Sequence, residues 1–359
     1  MTLWRWSEML PATPLHARLD LGAGNTPLVH SARIGRAAGL ENLFFKLENT
    51  NPTGSYKDRF AAVAISQMLA HCQTRCVTSS SGNAGASLAA HCAAAGIECE
   101  IGVIVTAPSG KLDQMRAYGA NVTRVEGFGI DDEITRQVFR FLTRRAEQPD
   151  TALQISAFCW SPLGMAGVKT LSYELAEQSS SPIDHVFSPV SGGGLNLAVA
   201  RGFQDLVGDG RLSSSPRIDC VQPAGNDTVA GPLRAGAERA RPVAWTTQIS
   251  GLQCASILDG HELISAARAS GGTGHLVSDE QIWEAQARLA REEGIFCEPA
   301  GATALAGALQ ACEQGDLEPR ARVVCLVTGA AFKDPPSIER MLADDPVATR
   351  TLSEMIADP

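Results

Sequence analysis

Short runs of β-type residues alternate with alanine-rich segments of helical period along most of the chain, and glycine or proline clusters mark the joins. Strands joined through helices must lie side by side in parallel sheets, so the alternation predicts an α/β fold of mainly parallel twisted sheets with helices on both faces. The periods place strands at 43–47, 76–79, 99–106, 121–125, 153–155, 186–190, 218–221 and 322–327. Helices are expected at 56–71, from the end of the loop Ser80-Ser81-Gly82-Asn83 to near Gly96, at 111–118, from Asp131, from Met165, and at 195–206, 280–293 and 302–311. Ser55 is placed to cap the first of these. Residues 223–275, rich in Gly, Ala, Arg and Ser, carry no readable period. In such folds the chemistry is expected at loops leaving the C-terminal ends of the strands.

Composition narrows the partner. Among 359 residues, 30 Lys+Arg against 39 Asp+Glu give a net charge of −9, and 44% of the chain is hydrophobic. That content is too apolar for disorder, and an acidic chain without a basic run is a poor ligand for a phosphate backbone, so no nucleic-acid partner is expected. No apolar stretch approaches the roughly 20 residues that span a bilayer, and the N-terminus lacks a basic segment followed by an apolar one, so the expectation is a cytoplasmic protein with no membrane partner. The ten cysteines include no C-x-x-C pair and most sit in apolar runs, which reads as reduced core thiols. The seven histidines show no metal-ligand spacing, and no metal is expected.

Three loops carry the chemical signal. Only five of the thirty cations are lysines, and Lys57 stands just inside a helix start behind the turn Asn51-Pro52-Thr53-Gly54. There, desolvation and the positive helix end both disfavour an ammonium, which frees an amine to form an imine; taken alone, the motif fits an ordinary solvated lysine better. Ser191-Gly192-Gly193-Gly194-Leu195-Asn196 falls between a strand and a helix, where backbone N–H groups can cradle a phosphate. The dinucleotide pattern fails because Leu197 stands where a third glycine is needed, and the triphosphate-binding pattern is absent. A single phosphate fits better, with a tight packing turn as the alternative. Ser80-Ser81-Gly82-Asn83-Ala84-Gly85 also opens a helix and suits a small anion such as an amino-acid carboxylate.

Taken together, the three loops resemble the fold type II (tryptophan synthase β-family) pyridoxal-phosphate enzymes, and within them the threonine-synthase-like group. Asn51-Pro52-Thr53-Gly54-Ser55-Tyr56-Lys57-Asp58-Arg59 resembles the Schiff-base motif, Ser80–Asn83 the substrate and ring loop, and Gly192–Gly194 the phosphate loop. Gly22–Leu28, Glu298–Ala302, Val327–Gly329 and Lys333–Pro335 are similar to further family segments, so the resemblance covers residues 20–340 in order. It implies that pyridoxal 5'-phosphate is held by Lys57, Asn83, the backbone of Gly192, Gly193, Gly194, Leu195 and Asn196, and Thr328 at the pyridine nitrogen. It implies that Ser80, Ser81, Gly82, Ala84, Lys111, Phe158 and Cys159 line the substrate site. It also implies a larger cofactor domain of residues 1–75 and 165–359, a smaller mobile substrate domain of 76–164, and a homodimer.

One segment departs from the group. Threonine synthases resemble Asn-Ser-x-Asn-Pro-x-Arg, whose Asn-Ser pair and Arg bind a substrate phosphate, where this chain has Phe158, Cys159 and Gly164. Losing an arginine fork and two polar donors removes charge-assisted hydrogen bonds. The implied activity is elimination or replacement at the β- or γ-carbon of a small L-amino acid, in a pocket altered from that of authentic threonine synthase. Threonine or serine dehydration and true threonine synthesis from O-phospho-L-homoserine are the alternatives, with an amino-acid-binding protein without turnover as the non-enzyme reading.

Overall fold

Among the described residues ten strands form two sheets, and all but the first run parallel to their neighbours. The computed structural model describes residues 2–254, 257–343 and 347–357. The strands are β1 Leu28–His30, β2 Leu43–Lys46, β3 Arg75–Ser79, β4 Glu98–Ile104, β5 Asn121–Val125, β6 Thr151–Leu153, β7 His185–Pro189, β8 Arg217–Pro223, β9 Gly274–Val277 and β10 Val323–Leu326. The larger sheet has the order β1-β2-β10-β7-β8-β9 and the smaller one β5-β4-β3-β6. β7 and β10 lie inside the larger sheet and are buried along their whole length. Helices cover both of their faces, which explains why they read as continuous apolar runs without alternation.

Helix Lys57–Ala70 links the sheets and is buried from Asp58 to Met68. It packs against the segment 162–169 on one side and helix Asn83–Ala95 on the other. Its first turn is bolted down by the residues that follow Lys57. The Asp58 carboxylate accepts from Thr53 N and Thr53 Oγ1, each at 2.7 Å, and from Ser87 Oγ on helix Asn83–Ala95. The Arg59 guanidinium donates to both carboxylate oxygens of Glu48 and of Glu174, and Lys46 Nζ donates to Glu174 at 2.8 Å. Two cations and two anions therefore neutralise one another out of contact with water.

Several expectations shift. Ser55 does not cap the helix: its backbone bridges to Gly329, Tyr56 is the residue before the first turn, and Ser55 Oγ is buried with no partner among the described residues. β6 ends at Leu153, two residues before the expected end, because Ile155 N turns away to Ser161 Oγ. The helix expected from Met165 is three pieces, Pro162–Ala166, Gly167–Lys169 and Thr170–Gln178. The stretch without a readable period holds helices Ala230–Arg234 and Gly260–Ala269 and strand β9. A Cβ on Gly274 would stand 1.8 Å from Ala230 O, so backbone packs directly on backbone and leaves no room for a periodic apolar face. Residues 255 and 256 of that stretch lie outside the described residues.

Candidate active site

The three loops predicted to carry chemistry all leave C-terminal strand ends or open helices: Lys57 begins its helix, Ser80–Gly82 follows β3, and Ser191–Gly193 follows β7. Lys57 Nζ donates to Ser156 Oγ at 2.8 Å and stands 4.6 Å from the centre of the Tyr56 ring. The carbonyl oxygen of Ser156 is in turn 3.4 Å from where a Cβ on Gly194 would stand. One serine therefore bridges the amine and the glycine loop. Gly193 has φ +95°, a left-handed conformation that favours glycine, and helix Gly194–Gly208 begins without a side-chain cap. Among the described residues none caps this helix start, so the N–H groups of its first turn, at the positive end of the helix, can serve an anion.

Tyr56 N donates to Thr328 O at 3.1 Å, which holds the buried Thr328 beside the start of the Lys57 helix. Asn83 Nδ2 donates to Glu298 Oε1 at 2.6 Å, and Asn83 Oδ1 is buried without a partner among the described residues. A Cβ on Gly329 would stand 2.2 Å from Glu298 Oε1, so glycine there makes room for this carboxylate. Glu298 precedes helix Pro299–Glu313 but makes no cap; its other oxygen faces Lys111 Nζ at 3.1 Å. Lys111 also donates to Ser250 Oγ at 2.8 Å. Lys333 donates to Gln114 Oε1 at 2.7 Å; burial lowers its ammonium to about 8, against the pull of Glu298 and Asp58 and with the push of Lys111.

The sequence pattern of this chain, from residue 19 to 329, matches the pyridoxal-phosphate dependent enzyme family. The chain belongs to that family. It is 30% identical over 352 residues to a threonine synthase of Methanocaldococcus jannaschii, covering 96% of this chain and 84% of the relative. It is 32% identical to a threonine synthase of Mycobacterium tuberculosis, covering 92% and 88%. Among solved structures, maize serine racemase superposes with a TM-score of 0.71 at 25% identity, covering 89% of this chain and 92% of that one. A threonine deaminase of Solanum lycopersicum shares the fold, with a TM-score of 0.74 at 22% identity over 96% and 94% of the two chains.

The residues present fit the cofactor of a pyridoxal-phosphate-dependent enzyme. An uncapped helix start behind a glycine cradle suits a phosphate, and the orphaned Ser55 Oγ and Asn83 Oδ1 are buried polar atoms that await a partner. The substrate candidates are not all gathered there. Ser80 Oγ accepts from Gly82 N and Gly85 N, and Ser81 Oγ accepts from Ile104 N, so both hydroxyls shape the loop. Ala84 is buried on helix Asn83–Ala95. The Phe158 ring lies under the Arg201 guanidinium at 4.4 Å, and Cys159 is exposed. Asn196 Nδ2 points back to Ser188 O at 3.2 Å, leaving only its backbone toward the loop opening.

Two residues were missed from sequence. Ser156 belongs to no motif, and Asp259 lies in the stretch without a period. Asp259 is 2% exposed; its carboxylate accepts from Phe158 N at 2.7 Å and Cys159 N at 3.0 Å, while its own N–H donates to Gly192 O at 2.9 Å. Burial first, then the charge of Asp259, pushes the Cys159 thiol up to about 11. The only signal that could have pointed to Asp259 is its position as an acid directly before a helix.

Proposed function

We propose that this enzyme catalyses elimination or replacement at the β- or γ-carbon of a small L-amino acid whose leaving group carries no phosphate. The carrying observation is Asp259, whose carboxylate occupies the N–H groups of Phe158 and Cys159 where threonine synthases resemble a phosphate-binding Asn-Ser pair. An anion of the protein already satisfies these donors and repels a second one. Two further features agree. The Glu298 carboxylate neutralises Lys111, and any side chain at position 164 would meet Phe60 Cε2 at 2.8 Å and Ala64 Cβ at 2.9 Å, which leaves an arginine no space. A neutral hydroxyl leaving group, as in L-threonine or L-serine, matches this environment.

In this reading Lys57, Asn83, Thr328 and the backbone from Gly192 to Asn196 hold pyridoxal phosphate, which when bound supplies an electron sink for the substrate α-carbon. Lys57 Nζ moves the α-proton, and Ser156 Oγ sets the direction of that amine. Asn83 fixes the ring plane, and the uncapped start of helix Gly194–Gly208 neutralises the phosphate. The Ser80–Gly82 loop offers N–H groups to the substrate carboxylate. Residues 76–164 form the smaller substrate domain that closes over residues 1–75 and 165–359. A cytoplasmic homodimer completes the proposal.

The test is to titrate purified holoenzyme with L-serine, L-threonine, their O-acetyl esters and O-phospho-L-homoserine, following the visible absorption band, ammonia and phosphate. Ammonia and a 2-oxo acid from threonine or serine is the expected result, and a band shift that needs an added nucleophile for turnover indicates replacement. Phosphate release with threonine formation overturns the reading of Asp259. Binding without turnover of any amino acid supports the non-enzyme alternative.

A further inference from the structure

Three of the ten cysteines, distant in sequence, meet in the smaller sheet. Cys76 on β3 and Cys99 on β4 are register partners, and Cys92 comes down from helix Asn83–Ala95, which packs on both strands. Their Sγ atoms all lie within 4.8 Å of one another. The residues are 0%, 0% and 7% exposed, within the apolar cluster that contains Leu88, Ala89, Ile97 and Ile101. Sulfur–metal bonds of about 2.3 Å put ligand sulfurs about 4 Å apart, so small side-chain rotations would bring all three onto one ion.

Charge selects the ion. Among the described residues no fourth histidine, cysteine or carboxylate joins the trio, which leaves a tetrahedral zinc site one ligand short. A monovalent or divalent ion on three thiolates would also leave net negative charge in an apolar pocket. Only a trivalent ion makes the assembly neutral. We propose that Cys76, Cys92 and Cys99 form a capture site for a trivalent thiophilic metalloid, arsenic(III) or antimony(III).

The chemistry balances without an oxidant. Neutral arsenous acid, As(OH)3, condenses with three thiols: each S–H proton leaves with one hydroxide as water, and three As–S bonds replace three As–O bonds. No electron is transferred, and no charge is carried into the core. Entry requires local opening of the smaller sheet, so uptake is slow and retention long. Once formed, the bridge ties β3, β4 and the helix that starts at Asn83, the elements that carry the Ser80–Asn83 loop.

The test uses reduced holoenzyme incubated with arsenite and desalted. Expected are one retained arsenic per chain, three sulfur neighbours by X-ray absorption at the arsenic edge, and a higher unfolding temperature. Cys92→Ala and Cys99→Ala should each lower affinity at least about tenfold, while Cys72→Ala, exposed and outside the trio, keeps it. Failure of the folded wild type to retain arsenic overturns the site, as does a count of two sulfurs or fewer. So does equal retention by the variants, or retention of Cu(I) but not arsenic. The sulfur count is read on the wild type, so it decides the matter even if a variant does not fold.

Discussion

Ser156 stands between Lys57 and Gly194: its hydroxyl oxygen accepts from Lys57 Nζ at 2.8 Å, and its carbonyl oxygen lies 3.4 Å from where a Cβ on Gly194 would be. The amine is therefore held against the same short segment that borders the glycine loop. Ser156→Ala removes the hydrogen bond from Lys57 Nζ to Ser156 Oγ, which in the proposed function sets the direction of the amine. A hydrogen bond is worth about 0.5–1.5 kcal/mol, so kcat should fall by a few-fold to about tenfold while KM and the unfolding temperature change little. Steady-state kinetics beside a thermal melt check this.

Gly193→Ala should damage cofactor retention before it damages the fold. Its φ of +95° is strained for any L side chain, and the new Cβ would lie 3.1 Å from Gly260 N. The strain amounts to about 1–2 kcal/mol and falls on the loop proposed to meet the phosphate. Pyridoxal phosphate remaining after gel filtration measures the loss, and far-ultraviolet dichroism should be unaltered.

Acid stability should follow Glu174. Burial pushes its carboxyl upward, but the charge and hydrogen bonds of Arg59, with those of Lys46, outweigh this and hold it at about 2, below the ordinary 4.5. A depressed carboxyl stabilises the folded state above its unfolded value, and that contribution is lost as pH falls from about 4.5 to about 2. Glu174→Gln should be less stable than wild type at neutral pH, with the gap closing across that window. Urea unfolding at a series of pH values reads both curves.

Asp259→Asn should admit what the wild type rejects. The amide oxygen can still accept from one of the two N–H groups, but the negative charge is gone. Removing a like charge from a partly desolvated site is worth about 1.4 kcal/mol or more, so binding of O-phospho-L-homoserine should tighten by about tenfold. The titration of the visible band with that ester measures it.

Lys57, Asn83 and the Gly192–Gly194 loop were legible as candidates because each motif is local: a turn, a helix start and a few small residues within ten positions. The parallel sheets were legible because buried strands and amphipathic helices have different periods. Ser156 and Asp259 were not, since each gains its role only where segments about a hundred residues apart meet, as with Ser156 and Lys57 or Asp259 and Phe158. The same holds for Cys76, Cys92 and Cys99, whose spacing matches no ligand pattern until a strand, a helix and a second strand are stacked. Ser55 misled for the opposite reason: its local pattern is that of a cap, but its backbone pairs with Gly329 and its hydroxyl makes no cap.

The order of strands in the larger sheet also governs how the chain is completed during synthesis. β10, Val323–Leu326, is last in sequence yet lies between β2 and β7, pairing with Leu43 on one side and His185 on the other. Until those residues leave the ribosome, β1-β2 and β7-β8-β9 are two fragments, each with a bare apolar edge facing the gap. The smaller sheet, complete at Leu153, can form long before. A nascent chain of this protein thus carries a finished substrate-loop module beside an unsealed one, and ribosomal pausing or truncation before residue 323 would expose two adhesive strand edges at once.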